Sequence, residues 1–195
     1  MCIRDRLVAA VNAAGRPAVG LTGADGKIGL VELAPPYRTN AGHVVQLGLV
    51  GNPVATAPPK LLSQLVDAGY TPIIASIGVT RDGQLVNVNA DALAAQLAVN
   101  LHATTLMVVG TTAGVLDIDQ RSLPRVNDED IERLVANGVI SAGMVAKLTS
   151  CRAARQGGVP NVRIIDGRTS IDVNGGTGTI IDTATVVQEK EKAKL

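Results

Sequence analysis

The sequence predicts an α/β fold, an open and mainly parallel β-sheet sandwiched by helices. Apolar residues make up 46% of the 195 residues and aromatic residues only 1%, so the core has to consist of Val, Ile, Leu and Ala. Such strands are typical of a parallel sheet that is buried on both faces. Strand and helix patterns also alternate through the centre of the chain, which is the order that places helices over a parallel sheet.

The first half of the chain carries extra strand patterns before the regular alternation begins. Apolar residues recur every three or four positions in its helical segments and form short runs in its strands, with Gly15 and Gly69 at helix ends. Pro35 and Pro36 break the pattern, so 34–42 is expected to be an exposed loop. The elements expected here are a helix at 7–11, strands at 17–21, 28–33 and 44–50, a helix at 60–68, strands at 71–76 and 84–88, and a helix from 92 to about 101.

The second half alternates more regularly. Asn127 is a helix cap followed by acidic residues, which complement the helix dipole, and Gly138 ends that helix. Small residues at 110–114 form a loop at the carboxyl end of a strong strand. The other elements expected here are strands at 104–109, 162–165 and 180–181 and a helix at 141–155.

The length is that of one domain, which we expect at 7–182. Residues 1–6 have no periodicity and no helix cap, and DNA that encodes them resembles the transposase end of a sequencing-library adapter. We expect them to be an artefact joined to a gene fragment. The charged residues 183–195 are expected to be a disordered, solvated tail.

The composition argues against several classes of protein. The net charge is +1 and the basic residues are scattered, so the footprint of a nucleic-acid-binding protein is missing. No apolar stretch has the length of a membrane span, no signal peptide is visible, and two cysteines form no metal or disulfide framework. We therefore expect a cytoplasmic protein that binds neither nucleic acid nor a membrane and has no dedicated metal site. His43 and His102 are isolated, which is typical of structural or exposed residues.

Three short polar side chains stand where a strand is expected to lead into a helix, namely Asn87, Asn89 and Asp91. One interpretation is structural, because Asn and Asp side chains satisfy the free N–H groups at helix starts. The other is functional: alternate residues can project the same way, so two amides and one carboxylate would converge beside the positive end of a helix. Ligands of open α/β sheets bind at the carboxyl ends of strands, where this cluster and the loop 110–114 are both expected.

A second set of residues suits phosphate. It comprises the small-residue loops, a helix start at Ser141 and a lysine, Lys147, one helical turn after Gly143. Phosphoryl transfer needs alignment and positive charge where negative charge spreads over the transferred group. Lys147 can supply that charge and Asp91 can hold a lysine in place. Taken alone, Lys147 is more typical of an ordinary exposed helix lysine.

These motifs, in this order, resemble the acetylglutamate kinases, which have the amino-acid kinase fold. The resemblance runs from about residue 7 to residue 181. The segments that carry it are 69–80, 82–84, 87–91, 113–117, 137–147, 165–168 and 176–179. It implies transfer of the γ-phosphoryl group of ATP to the side-chain carboxylate of N-acetyl-L-glutamate, which gives an acyl phosphate in arginine biosynthesis.

The resemblance also implies roles for individual residues. Asn87 and Asn89 would bind acetylglutamate, Asp91 would organise the catalytic lysines, and Lys147 would stabilise the charge of the transition state. Mg²⁺ would be held through the ATP phosphates, without a protein cage. The residues assigned to nucleotide binding are Gly110, Thr111, Thr112, Ala113, Gly114, Val115, Leu116, Val139, Ile140 and Ser141.

The chain departs from the family in three places. The family's N-terminal part, with a glycine-rich phosphate loop and a second catalytic lysine, has no counterpart here, so the fold is expected to be incomplete at the N-terminus and the fragment inactive by itself. Gly110 and Thr111 stand where the family often has an acidic residue, and the segment 168–175 is short. The full-length family member is expected to be a homo-oligomer.

Two alternatives stay open. The first is another amino-acid kinase, acting on aspartate, glutamate, carbamate, uridylate or a carrier-bound aminoadipate. Paired amides favour acetylglutamate among these, because they suit an acylated, uncharged amino group beside a carboxylate. The second is a non-catalytic module that binds a nucleotide or an effector.

Overall fold

The structure is a computed structural model, which describes residues 2–38, 42–56, 59–168 and 178–182. The chain divides into two compact units, an N-terminal unit at Met1–Leu101 and a C-terminal unit at His102–Leu195. The tail at 183–195, which was expected to be disordered, lies outside the described residues. The single domain expected at 7–182 and the artefact expected at 1–6 stay predictions.

Both units contain helices and strands. The helices are α1 Ile3–Ala13, α2 Lys60–Asp67, α3 Ala90–Asn100, α4 Asp128–Ala136 and α5 Ala142–Gln156. The strands are β1 Ala18–Thr22, β2 Val31–Leu33, β3 Tyr37–Arg38, β4 Val44–Val45, β5 Val50–Pro53, β6 Thr71–Ala75, β7 Ile77–Val79, β8 Leu85–Val88, β9 Thr105–Gly110, β10 Arg125–Val126, β11 Asn161–Asp166 and β12 Thr179–Ile181.

The α/β class is confirmed, and the longest strand pairs are parallel. Strand β1 pairs with β6 and β9 pairs with β11 in this way, and the shorter pairs β5–β8 and β10–β12 are parallel too. Antiparallel pairing occurs where short strands flank these, in β2–β5, β3–β4, β7–β8 and β11–β12. The two four-stranded sheets are therefore mixed, and the two longest ladders among the described residues, β9–β11 and β1–β6, are parallel.

In the N-terminal unit, helix α1 lies against β1 and β6, α2 against β6, and α3 against β5. The strands form the pair β1–β6 and a sheet in the order β2–β5–β8–β7. Aliphatic side chains from the strands and from α2 and α3 form one core, as the composition requires. Its buried members are Leu21, Ile28, Val31, Leu62, Val86, Val88, Leu93 and Leu97.

In the C-terminal unit, the strand order is β10–β12–β11–β9, and α5 packs against β9, β11 and β12. Side chains with no exposed area, such as Leu148 on α5 and Val162 and Ile164 on β11, fill the space between helix and sheet. Arg152 on α5 pairs with Asp128 at the start of α4 at 2.5 Å, which joins the two helices.

Several elements differ from the expectation. The strand expected at 28–33 begins only at Val31, because Asp25–Lys27 forms a 3₁₀ turn in which Lys27 has a φ of 53°. The strand expected at 44–50 is divided, because Gly48 has a φ of 68° that no strand accommodates. Part of the loop expected at 34–42 is strand β3, which pairs with β4.

Helix α1 also begins earlier than the sequence pattern indicated, at Ile3 instead of near residue 7. Its first residues have no capping side chain, since Cys2 forms no cap hydrogen bond. Arg4 pairs with Asp5 at 2.8 Å and lies close over Gly20 of β1, which gives the first turn a packing partner. None of the helices in the described part of the chain is long and apolar enough to cross a membrane.

A first prediction concerns Gly78 of β7, which leaves room for two valines. A Cβ atom on Gly78 would lie 2.6 Å from Val31 Cγ1 and 2.7 Å from Val88 Cγ2. We expect Gly78→Ala to lower the free energy of unfolding by about 1–3 kcal/mol through overpacking. The check is urea unfolding of Gly78→Ala, Val31→Ala and the double variant.

Because Val31→Ala removes the Val31 methyl groups, which are part of the collision, and leaves Val88 in place, the double variant should lose somewhat less stability than the sum of the single losses. The control combines Gly78→Ala with Leu62→Ala on α2, whose effects should add within about 0.5 kcal/mol. A strictly additive Gly78–Val31 pair would contradict the packing described here.

Candidate functional site

The turn from β8 into α3 holds the three polar residues that the sequence singled out. Along β8, Val86 and Val88 are buried, whereas Asn87 and Asn89 are exposed, so the two amides follow the alternation of a strand. The backbone N–H of Asn87 donates to the Leu49 carbonyl at 2.8 Å, which fixes this strand beside β5. Both amide residues therefore lie on the exposed side of the strand end.

Asn89 is the N-cap of α3. Its side-chain oxygen accepts a hydrogen bond from the backbone N–H of Ala92 at 3.0 Å. Asp91 follows in the first turn of the helix and is half-buried, in the position where a carboxylate complements the helix dipole. The structural interpretation is thus correct for Asn89, and it leaves a ligand-binding role for Asn87, Asn89 and Asp91 as a prediction.

In the C-terminal unit, β9 and β10 are the two outermost strands of the sheet, and the chain passes from β9 to β10. Because β9 and β11 are parallel and β12 runs against β11, the ends of β9 and β11 and the starts of β12 and β10 lie at one edge. Residues 111–124, called here the crossing loop, connect β9 to β10 along this edge. The carboxyl ends of parallel strands are where open α/β sheets bind ligands.

The crossing loop is closed by hydrogen bonds between its two limbs. The N–H of Leu123 donates to the Val115 carbonyl and the Ser122 hydroxyl donates to the Ala113 carbonyl, both at 2.8 Å. Thr112 adds a bond from its hydroxyl to the Gly114 carbonyl at 2.9 Å. At the tip of the loop, the Asp117 carboxylate accepts from two backbone N–H groups at 2.9 Å each.

Exposure varies along the part of this loop that was assigned to the nucleotide. Thr111 and Ala113 are exposed, Gly110, Thr112 and Leu116 are half-buried, and Gly114 and Val115 are buried. Backbone and small side chains therefore form the accessible surface of the loop. Such a surface can approach a phosphate or a ribose closely.

Thr179, at the start of β12, contacts both limbs of the crossing loop. Its hydroxyl accepts from the Val115 N–H at 2.7 Å and donates to the Leu123 carbonyl at 2.6 Å, and the residue has no exposed area. Gly114, with a φ of 124°, passes so close that a Cβ atom there would collide with this hydroxyl. The residues at 176–179 carry part of the family resemblance, but no pattern in the sequence indicates this contact.

Asp166 and Arg168 form an ion pair at the same edge, where β11 ends beside Gly110. The Arg168 guanidinium donates to both oxygens of the Asp166 carboxylate, at 2.7 Å for the shortest contact, and the Arg168 N–H adds a bond at 2.9 Å. These bonds lower the pKa of Asp166 to about 2. Gly167 stays against β9 because its N–H donates to the Gly110 carbonyl at 2.9 Å. Both residues lie in the segment 165–168 that carries part of the family resemblance, but no pattern in the sequence indicates that they pair.

The segment between α4 and α5 carries the other residues assigned to the nucleotide. Helix α4 ends at Ala136, and Gly138 follows two residues later with a φ of 62°, which lets the Val139 N–H return to the Leu134 carbonyl at 3.1 Å. Val139 and Ile140 are half-buried, and Ser141 is the exposed N-cap of α5. The N–H groups at such a helix start attract anions.

Lys147 lies in the second turn of α5 and is half-buried. It belongs to the C-terminal unit together with all residues assigned to the nucleotide, whereas Asn87, Asn89 and Asp91 belong to the N-terminal unit. The catalytic, substrate-binding and nucleotide-binding roles stay predictions. Among the described residues, no group of three or more His, Cys, Asp or Glu residues is placed to hold a metal ion.

Comparison with known proteins identifies the family of the chain. The model of the "Amino acid kinase family" matches residues 1–166. A relative from Afipia carboxidovorans named acetylglutamate kinase is 39% identical over 191 residues, which cover 92% of this chain and 64% of that protein. The chain thus spans less than two thirds of the length of the curated relative.

Two solved structures resemble the described fold. The smu.665 protein of Streptococcus mutans UA159 has a TM-score of 0.73 at 25% identity, over 91% of this chain and 65% of that one. An N-acetylglutamate synthase from Neisseria gonorrhoeae, solved with coenzyme A and N-acetyl-glutamate, has a TM-score of 0.72 at 23% identity, over 91% of this chain and 40% of that one. The second similarity supports the fold alone.

The Asp166–Arg168 pair gives a prediction of pH dependence. Arg168→Gln should return the pKa of Asp166 from about 2 towards its ordinary value of 3.8, since the guanidinium bonds are lost. A carboxyl pKa that is lowered by folding stabilises the fold above the unfolded pKa, and this stability is lost as the pH falls from about 4 to about 2. Carboxyl carbon shifts measured by NMR during an acid titration check both values. A pKa near 3.8 in the unsubstituted chain would contradict the pairing.

The Asn89 cap gives a second prediction. Asn89→Ala should lower the free energy of unfolding by about 1 kcal/mol, because the Ala92 N–H loses its acceptor, whereas Asn89→Asp should retain the cap. The control is Asn87→Ala, an exposed strand position where the loss should stay within about 0.5 kcal/mol. Chemical denaturation compares the three variants, and equal losses in all of them would mean that the cap adds nothing.

Proposed function

The chain belongs to the amino acid kinase family, and we propose that the protein it represents transfers the γ-phosphoryl group of ATP to the side-chain carboxylate of N-acetyl-L-glutamate. The observation that carries this proposal is the 39% identity, over 92% of the chain, to a relative named acetylglutamate kinase. The exposed polar residues at the end of β8 and the small-residue loop after β9 support it. The product would be the acyl phosphate that arginine biosynthesis uses.

The paired amides are suited to this acceptor. Asn87 and Asn89 follow each other on the exposed side of a strand end, and each carboxamide can donate and accept hydrogen bonds. An acylated amino group offers one acceptor and one donor, and the α-carboxylate offers acceptors only. Asn89 would bind substrate while its oxygen also caps α3, which requires that the amide nitrogen makes the contact with the ligand.

The nucleotide would bind in the C-terminal unit. The accessible backbone of residues 110–116 would contact the base and the ribose, and Val139, Ile140 and Ser141 would lead the phosphates to the N-terminus of α5. Mg²⁺ bound to the phosphates would neutralise part of their charge, and this arrangement needs few protein ligands.

Lys147 and Asp91 would carry the electrostatic part of the reaction. The transferred group spreads negative charge over its oxygens, and an ammonium group near them stabilises the transition state more than the ground state. Lys147 would supply this charge, and Asp91 would orient the lysines that do so. The nucleophile would be the substrate carboxylate itself, so no protein group would need to form a covalent bond.

The proposal predicts the behaviour of Lys147 variants. In the longest protein that the gene encodes, Lys147→Ala should lower kcat by about 10²- to 10³-fold, because charge stabilisation of the transition state is lost. The acyl phosphate is trapped with hydroxylamine and measured as the hydroxamate. Lys60→Ala, at the start of α2, is the matched control and should leave kcat unchanged.

A substrate panel tests the acceptor. Aspartate, glutamate, carbamate and uridylate should give less than a hundredth of the rate with N-acetyl-L-glutamate, because an unpaired polar group in a site built for the acetamide is unfavourable. The 195-residue chain, assayed alone, is expected to be nearly inactive. If the longest protein that the gene encodes phosphorylates one of the other acceptors efficiently and does not phosphorylate acetylglutamate, the proposal is wrong.

A further inference from the structure

A buried hydroxyl far along the sequence contacts the loop that the proposed function assigns to the nucleotide. Thr179 is separated by 64 residues from Val115 and by 56 residues from Leu123, and it is hydrogen-bonded to both. It has no exposed area, so it cannot touch a nucleotide bound at the surface. Any effect on the ligand must act through the crossing loop.

The Thr179 hydroxyl accepts one of these hydrogen bonds and donates the other. The Val115 N–H donates to Thr179 Oγ1 at 2.7 Å, and the Thr179 O–H donates to the Leu123 carbonyl at 2.6 Å. The first bond contacts the outgoing limb of the crossing loop and the second contacts the returning limb. Between them, the limbs are joined by the Leu123 N–H to Val115 carbonyl bond at 2.8 Å. Three bonds thus form a closed arrangement around one hydroxyl.

The neighbouring glycines allow this arrangement. Gly114 brings the backbone against the hydroxyl at a φ of 124°. Gly178 has a φ of 89°, and a Cβ atom there would collide with the Ile164 carbonyl oxygen. Side chains at either position would push the loop or the strand away. The close approach of the crossing loop to the start of β12 therefore depends on glycine at both positions.

Strand β12 gives the hydroxyl a fixed position. Thr179 lies opposite Ile164 of the buried strand β11, and the Ile180 N–H donates to the Pro124 carbonyl at 3.0 Å, where the crossing loop ends. The loop is thereby held to the centre of the sheet and not only to its own two ends. A binding loop that is fixed in one conformation loses little entropy when a ligand binds.

We propose that Thr179 is a positioning residue for nucleotide binding: its hydroxyl holds residues 110–116 in the conformation that accepts the nucleotide. This inference rests on the proposed function, in which these residues contact ATP. Removal of the hydroxyl leaves the buried N–H of Val115 and the partly buried carbonyl of Leu123 without this partner, which loosens the loop. Nucleotide affinity then falls, although Thr179 does not touch the nucleotide.

The test compares Thr179→Val, which keeps the shape but lacks the hydroxyl, with Thr179→Ser, which retains it. Ser150→Ala on α5 is the matched control, because the Ser150 hydroxyl is also buried and bonded, to the Ala146 carbonyl at 3.1 Å, and does not contact the loop. Backbone amide exchange of the 195-residue chain is measured by NMR. Binding of a non-hydrolysable ATP analogue is measured by calorimetry with the same variants of the longest protein that the gene encodes.

We expect Thr179→Val to speed exchange of the Val115 and Leu123 amides at least about tenfold more than exchange of the α5 amides, and to weaken the analogue about tenfold. Thr179→Ser should stay within about threefold of the unsubstituted chain in both measurements, and Ser150→Ala should leave the loop amides unchanged relative to α5. An even rise in exchange over the whole C-terminal unit, or unchanged analogue affinity in Thr179→Val, would overturn the proposal.

Two further outcomes are informative. If the longest protein that the gene encodes does not bind the analogue while Thr179→Val still loosens the loop, the hydroxyl holds the loop but the nucleotide assignment is wrong, which contradicts the proposed function and the role of Thr179 in it. If Thr179→Val does not fold, the unsubstituted chain and Thr179→Ser decide. A Val115 amide that exchanges as fast as that of exposed Thr111 would overturn the proposal, and strong protection in both proteins would support it.

Discussion

The hydrogen bonds of the Thr179 hydroxyl are the interaction on which the crossing loop of the C-terminal unit depends. The crossing loop has to pass the ends of two strands before it reaches β10, and the described part of the chain gives β10 only β12 as a strand partner. The same short strand that completes the sheet also supplies the group that closes the loop. The conformation of the crossing loop is therefore set by packing in the centre of the sheet, and the positions of its surface residues depend on that packing.

The N-terminal unit also depends on a close approach, in which a valine side chain lies against the backbone of two glycines. Val31 is almost fully buried and extends towards Gly51 and Gly78, at distances that leave no room for a side chain on either glycine. The close approach brings β2, β5, β7 and β8 together under α3, whose first turn carries Asn89 and Asp91. An aliphatic core without large aromatic side chains can tolerate such close strands, because no ring has to be accommodated.

The sequence predicted best those elements whose signals are local. Asn127 caps α4 with a reciprocal bond to Asp130, and Ser141 caps α5, as the residue types at these positions indicated. The strands β3 and β10 have two residues each, so no pattern could reveal them, and they exist only because their partners lie beside them. The ion pair of Asp166 and Arg168 could not be predicted, because neighbouring charges are common on protein surfaces. Only the register of β11 shows that the pair lies beside Gly110.

The candidate site divides in the same way. The Asn–Asp cluster and the small-residue loop could be located from spacing, because helix starts and strand ends have recognisable compositions. The dual position of Asn89, which caps a helix at the edge assigned to the substrate, required the structure. The role of Thr179 could not be read from its surroundings in the sequence, because both of its partners are more than 50 residues away.

The late position of β12 also has a consequence for biosynthesis. A ribosome adds about 5–20 residues per second, so the 56 residues between Leu123 and Thr179 require several seconds of translation. During that interval β10, α4, α5 and β11 are synthesised in turn, and β10 has no strand partner among the described residues until β12 follows. Chaperones that shield exposed sheet edges would act during this interval. A premature stop codon before Thr179 would leave β10 permanently without β12.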